Sequence, residues 1–116
     1  MIPGGSKSTR IEVRISGSDV NPYLAMAAGI ASGLYGIENK LELNEMPVVG
    51  SGYLSEAQRL PRNLFDATMK MSQSKIAHGL FGSEFVDHFV NTRLWEWRQF
   101  QDSVTNWEMQ RYFEII

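Results

Sequence analysis

Residues 22–38 are the stretch that most restricts how this chain can fold. They read PYLAMAAGIASGLYGIE, with no charged side chain before Glu38 and with small residues alternating with larger apolar ones. Asn21 can serve as a helix N-cap and Pro22 suits the first helical position, so the pattern predicts a helix from Pro22 to about Glu38. A helix that is apolar all round is buried on most sides. We therefore expect a core helix of a larger structure.

An alternation of charged and apolar residues precedes this helix at residues 9–15. In a strand, successive side chains point to opposite faces, which places Arg10, Glu12 and Arg14 together on one side. Fixed guanidinium groups can hold carboxylates or phosphates, and the carboxylate between them can neutralise them or hold a metal ion. This face is the best site candidate among the residues. The same spacing also fits an exposed strand face with ion pairs between neighbours.

The second half of the chain contains a long connection followed by helical segments. Residues 39–62 are rich in polar and turn-forming residues, and a connection of that length in a compact domain is often functional. A helix is expected after Asn63, and a short turn is expected over residues 74–78. With the strand and the helix described above, the chain is expected to have an α+β fold. It would be mostly helical, with one or two strands and about four helices in one domain.

Two further helices are predicted near the end of the chain. Ser83 is expected to cap the longest one, which covers about residues 84–104 and has apolar residues at helical spacing. Thr105 and Glu108 match a capping box and start a last short helix. The turn before these helices is expected to end at Gly79.

Composition excludes several functional classes. The net charge is -2, which provides no basic face for nucleic acid. The chain has no cysteine, which rules out disulfides, thiolate metal sites and thiol catalysis. Its first residues, MIPGGSKSTR, do not resemble a signal peptide, and no run is long and apolar enough to span a bilayer. We therefore expect a cytoplasmic protein without nucleic-acid or membrane partners.

The other candidate sites are weaker. Apart from Glu84 before His88, neither His78 nor His88 has a carboxylate or a second histidine three or four residues away, so structural or surface roles are favoured for both. The aromatic residues of the C-terminal region indicate packing or a subunit contact, because basic residues are not interleaved with them as in base-stacking surfaces. Residues 50–52, Gly-Ser-Gly, are not followed by the Lys-Ser or Lys-Thr of a phosphate-binding loop.

Two motifs in combination point to a known family. The first is KSTRIEVR at residues 7–14, and the second is DVNPYLA at residues 19–25, followed by the small-residue helix and by GIENK at residues 36–40. Leu60-Pro61, the Phe81-Gly82 turn and the closing aromatic segment add to the similarity. The whole chain thus resembles the C-terminal part of the glutamine synthetase catalytic domain. The wording GSDVNP is most similar to the divergent glutamine synthetase-like branch that includes γ-glutamyl-polyamine synthetases.

The resemblance implies an ATP-dependent ligase that phosphorylates the side-chain carboxylate of glutamate and lets ammonia or an amine displace the phosphate. Glu12 would then be a ligand of a divalent metal ion, Mg²⁺ or Mn²⁺. Arg14 would bind a substrate carboxylate and act catalytically on the phosphoryl intermediate. Arg10 and Lys7 would contact the nucleotide. Tyr53 lies roughly where some members carry a regulatory tyrosine, but its surrounding residues do not match that motif.

The resemblance also implies that most of an active site is missing. Family members are several times longer, and the absent portion supplies the other metal ligands and most of the strands of the active-site barrel. One carboxylate cannot hold several metal ions. We therefore expect a segment that is inactive alone. The alternative is a stand-alone, non-catalytic module that assembles with copies of itself, and in either case a homo-oligomer is expected.

Overall fold

The computed structural model describes residues 5–8, 10–44, 49–51 and 58–115, and in this part the protein is all-helical. Its helices are α1 (Pro22–Glu38), α2 (Leu64–Ser72), α3 (Lys75–Phe81), α4 (Ser83–Gln101) and α5 (Asn106–Tyr112). The chain divides into two compact units, Met1–Pro47 and Val48–Ile116. The first unit contains α1, and the second contains the other helices. Among the described helices, none combines the length and hydropathy that a membrane span requires.

The predicted strand is wrong, and the predicted α+β class is wrong with it. Within the described residues, Arg10 makes an isolated β-bridge and residues 11–15 belong to no strand. A strand is stable when a neighbouring strand pairs with its backbone N–H and C=O groups. No second strand exists in the described part of the chain. Alternating side chains specify two faces but do not provide that partner.

Helix α1 begins and ends at residues that satisfy its free backbone groups. The Asn21 side chain accepts hydrogen bonds from the backbone N–H groups of Tyr23 at 3.0 Å and Leu24 at 3.3 Å. At the other end, Lys40 has φ 50° and the N–H of Leu41 donates to the Gly36 carbonyl at 2.9 Å. The bounds match the prediction. In this chain, however, α1 contains no buried residue.

The second unit has a small core where α2 and α3 pack on α4. Val86 is 0% exposed, Val90 9% and Thr68 4%. The Thr68 hydroxyl donates to the Leu64 carbonyl at 2.7 Å, so its polar atom is satisfied within α2. This core places the middle of α2 against the first half of α4.

The boundary between α3 and α4 differs from the prediction. The turn expected to end at Gly79 is a helix that continues to Phe81, and it ends at Gly82, whose φ of 79° favours glycine. Ser83, predicted as the cap of the longest helix, is instead the first residue of α4, which has no side-chain cap. By contrast, Thr105 and Glu108 form the predicted capping box of α5.

Candidate functional site

The charged residues before α1 do lie together, although they belong to no strand. Arg10 Nε donates to Glu12 Oε1 at 3.0 Å, and Arg10 Nη2 lies 3.0 Å from the same oxygen. Arg14 Nη2 donates to the other oxygen, Glu12 Oε2, at 2.8 Å. The three side chains therefore share one side of the segment, as their spacing predicts. We call this group the Arg-Glu-Arg cluster.

The two arginines are held unequally. Arg10 uses Nε and Nη2 on Glu12, and its Nη1 also donates to the Ser8 carbonyl at 3.3 Å. Arg14 contacts Glu12 through Nη2, and its side chain is 87% exposed, against 57% for Arg10. Arg10 is thus fixed from two directions, whereas Arg14 keeps most of its donors directed to solvent.

Lys7 lies outside the hydrogen bonds and ion pairs of the cluster in the described residues. It is exposed in a turn over residues 5–8, which is closed by a 2.8 Å hydrogen bond from the Ser8 N–H to the Gly5 carbonyl. The structure therefore brings Arg10, Glu12 and Arg14 together and leaves Lys7 beside them in sequence. Tyr53 lies outside the described residues.

A tight turn connects the cluster to α1. The Val20 N–H donates to the Gly17 carbonyl at 3.3 Å, and Asn21 then caps the helix. A Cβ atom on Gly17 would lie 2.8 Å from Asp19 Oδ1, closer than such contacts normally allow. Because Oδ1 is the end of an exposed side chain that can move away, the turn hydrogen bond and the Asn21 cap lead the chain into α1 without requiring a glycine at this position. The sequence predicted the cap at Asn21 but not the hydrogen bond that closes this turn.

The cluster has the chemistry of an anion site more than that of a metal site. Two guanidinium groups and one carboxylate leave one net positive charge, and guanidinium forks suit carboxylates and phosphates. Mg²⁺ and Mn²⁺ require several oxygen ligands. The described residues contain no group of three or more His, Asp or Glu side chains placed to hold a metal ion. Glu12 alone therefore does not fit a divalent metal ion.

Of the other candidate residues, His78 and Trp97 make contacts between helices, and His88 is exposed. His78 hydrogen-bonds to Ser83 and to the Ser72 carbonyl, which gives it a structural role between helices. Trp97 lies with its ring centroid 6.1 Å from that of Phe65, so it packs α4 on α2. His88 is exposed on α4.

The chain is similar to a family model and to several known proteins. The family model described as "Glutamine synthetase, catalytic domain" matches residues 1–112. The chain is 53% identical to the type-1 glutamine synthetase 2 of Dictyostelium discoideum over an alignment of 116 residues that covers 97% of this chain and 22% of that protein. It is 41% identical to the glutamate–isopropylamine ligase of a Pseudomonas species, covering 99% of this chain and 26% of the ligase.

A third relative is named as the synthetase of a different γ-glutamyl amide. The chain is 42% identical to the γ-glutamylethanolamide synthetase of Streptomyces coelicolor, covering 97% of this chain and 24% of the synthetase. The chain thus spans about a quarter of the length of these curated relatives, with coverages of 22%, 26% and 24%.

Proposed function

Because the chain belongs to the glutamine synthetase catalytic-domain family, we propose that it is the C-terminal catalytic segment of an ATP-dependent ligase that joins glutamate to ammonia or an amine. In the proposed reaction the glutamate side-chain carboxylate attacks the γ-phosphorus of ATP and ADP leaves. The amine nitrogen then attacks the acyl carbon, and phosphate and a proton leave. The observation that carries the proposal is the Arg-Glu-Arg cluster in a chain of this family.

The proposed roles follow from the charge that this reaction develops. Phosphoryl transfer spreads negative charge over the non-bridging oxygens, which guanidinium groups stabilise. Arg14, with most of its donors facing solvent, would hold a substrate carboxylate and the phosphorylated intermediate. Arg10, and Lys7 near it in sequence, would contact the nucleotide. The absence of cysteine from the chain is compatible with action in the cytoplasm.

We propose that the chain does not catalyse the reaction alone. Glu12 would supply one carboxylate of a metal site whose other ligands come from the rest of a complete catalytic domain. The described residues offer no such further ligands near it. ATP and Mg²⁺ or Mn²⁺ are therefore proposed as cofactors of the complete enzyme.

A segment exchange tests this function. Residues 1–116 replace the matching segment of the Dictyostelium relative, and ligation of glutamate to ammonia, isopropylamine and ethanolamine is measured by ADP release and product mass. We expect the chimera to retain ligase activity with at least one of these acceptors, and the isolated chain to have none. A chimera that folds and assembles like the parent but makes no product would contradict the assignment.

One observation favours the alternative, a non-catalytic module that self-assembles. At 100° per residue, five large apolar residues of α1 fall on a single face. All are exposed: Tyr23 78%, Met26 58%, Ile30 65%, Leu34 53% and Ile37 75%. We call this face the α1 stripe. Exposed apolar stripes of this kind usually contact another protein surface, and a second copy of the chain could cover it.

A further inference from the structure

Both carboxylate oxygens of Glu12 contact arginine side chains. We propose that in the chain alone Glu12 is a positioning residue: it clamps Arg10 and Arg14 on one side of the segment and does not by itself hold a divalent metal ion, a role that would require the further ligands of a complete catalytic domain. This proposal concerns only the contacts of three side chains, so an experiment that disproves it would leave the ligase assignment in place. It goes beyond that assignment because it gives Glu12 a task in the chain alone.

Both oxygens of Glu12 accept a hydrogen bond from an arginine. Oε1 accepts from Nε of Arg10 at 3.0 Å, and Nη2 of the same side chain lies 3.0 Å away as an ion-pair contact. Oε2 accepts from Nη2 of Arg14 at 2.8 Å. Each oxygen thus uses one of its two lone-pair positions on a guanidinium group. Glu12 alone supplies far fewer ligands than the six or more oxygens around Mg²⁺ or Ca²⁺.

Charge opposes a cation at the same place. A metal ion at either Glu12 oxygen would lie close to the guanidinium groups of Arg10 and Arg14, and like charges at such distances repel. The Glu12 side chain is 33% exposed, so solvent screens this repulsion only in part. The described residues contain no further cluster of carboxylates or imidazoles to offset it.

The clamp also has a defined asymmetry. Arg10 is held by Glu12 on one side and by the Ser8 carbonyl at 3.3 Å on the other. Arg14 is held by Glu12 through Nη2 and is 87% exposed. Removal of the Glu12 carboxylate should therefore free Arg14 completely but leave Arg10 its contact with Ser8.

The first experiment measures metal binding to the 116-residue chain. Free Mn²⁺ is followed by electron paramagnetic resonance in the native chain, in Glu12→Gln and in Glu42→Gln, a matched control in which another exposed glutamate of the same unit is changed. We expect all three to bind Mn²⁺ equally and no more tightly than about 1 mM, since tighter sites need several oxygen ligands. Binding tighter than this limit in the native chain, lost in Glu12→Gln and kept in Glu42→Gln, would overturn the proposal.

The second experiment detects the clamp itself. In the ¹⁵N-labelled chain, exchange of the Arg10 Nε–H with water is measured by NMR, with far-UV circular dichroism showing that each variant keeps its helices. Glu12→Gln should speed this exchange by about tenfold, because its neutral amide oxygen is a weaker acceptor than a carboxylate. Glu42→Gln should leave the rate unchanged. Equal rates in the native chain and in Glu12→Gln would show that no clamp exists.

Discussion

The imidazole Nδ1 of His78 lies 3.1 Å from the hydroxyl oxygen of Ser83, which is the first residue of α4. On the other side of the ring, Nε2 lies 3.0 Å from the backbone carbonyl oxygen of Ser72, the last residue of α2. A carbonyl can only accept, so Nε2 carries the hydrogen, and in the neutral ring Nδ1 accepts from Ser83. One half-buried side chain of α3 thus ties the end of α2 to the start of α4.

His78→Ala removes both of these hydrogen bonds. We expect it to lower the free energy of unfolding by about 1–2 kcal/mol, since a typical hydrogen bond contributes about 1 kcal/mol. His88→Ala is the matched control, because His88 is exposed on α4 and should change stability by less than about 0.5 kcal/mol. Urea denaturation followed by circular dichroism measures both variants. Equal stabilities would mean that His78 does not join the helices.

Val86 tests the core of the second unit. It is 0% exposed, and Val86→Ala removes two methyl groups from a packed site. We expect a loss of about 2 kcal/mol in the free energy of unfolding, from lost burial and the cavity left behind. Val104→Ala makes the same change at a side chain that is 74% exposed, and it should be nearly neutral. The same denaturation measurement compares the two, and similar losses would place the core elsewhere.

Local signals predicted the helix starts because a capping oxygen and the amide that it binds are close in sequence. Asn63 Oδ1 accepts from the Asp66 N–H at 2.8 Å, as its position before the helix suggested. Ser83 failed as a cap because it is the first residue of α4 and not the residue before it. Its hydroxyl bonds to His78, and the φ of 79° at Gly82 brings the chain into α4 without a side-chain cap.

The site shows the same division between local and non-local information. Alternation correctly placed Arg10, Glu12 and Arg14 on one side, because it depends on the backbone of a short segment. The strand itself required a partner strand, and pairing between distant segments cannot be read from alternation. The family was predicted from its motifs, and this prediction is confirmed by the match over residues 1–112.

The α1 stripe predicts self-association of the isolated chain. Ile30, 65% exposed, lies in the middle of the stripe, so Ile30→Lys places a charge where a second copy would pack. We expect the native chain to sediment as an oligomer and Ile30→Lys to shift it toward monomer. Ile76→Lys is the control, since Ile76 is 49% exposed on α3 of the other unit. A native chain that remains monomeric at high concentration would contradict the prediction and the self-assembling alternative.

Arg14 is the residue whose change should separate catalysis from folding. In the segment-exchanged relative, we expect Arg14→Ala to lower kcat/KM by about 10²–10³-fold, the range for losing a group that stabilises transition-state charge. Its stability should change by less than about 1 kcal/mol, because the side chain is 87% exposed and its ion pair is near the surface. Arg14→Lys keeps the charge but loses the planar fork, so an intermediate rate is expected.

Arg59→Ala, at an exposed arginine of the other unit, should leave kcat/KM unchanged. Steady-state rates and thermal unfolding measure the two effects separately, and an Arg14→Ala enzyme with unaltered turnover would remove Arg14 from the proposed active site.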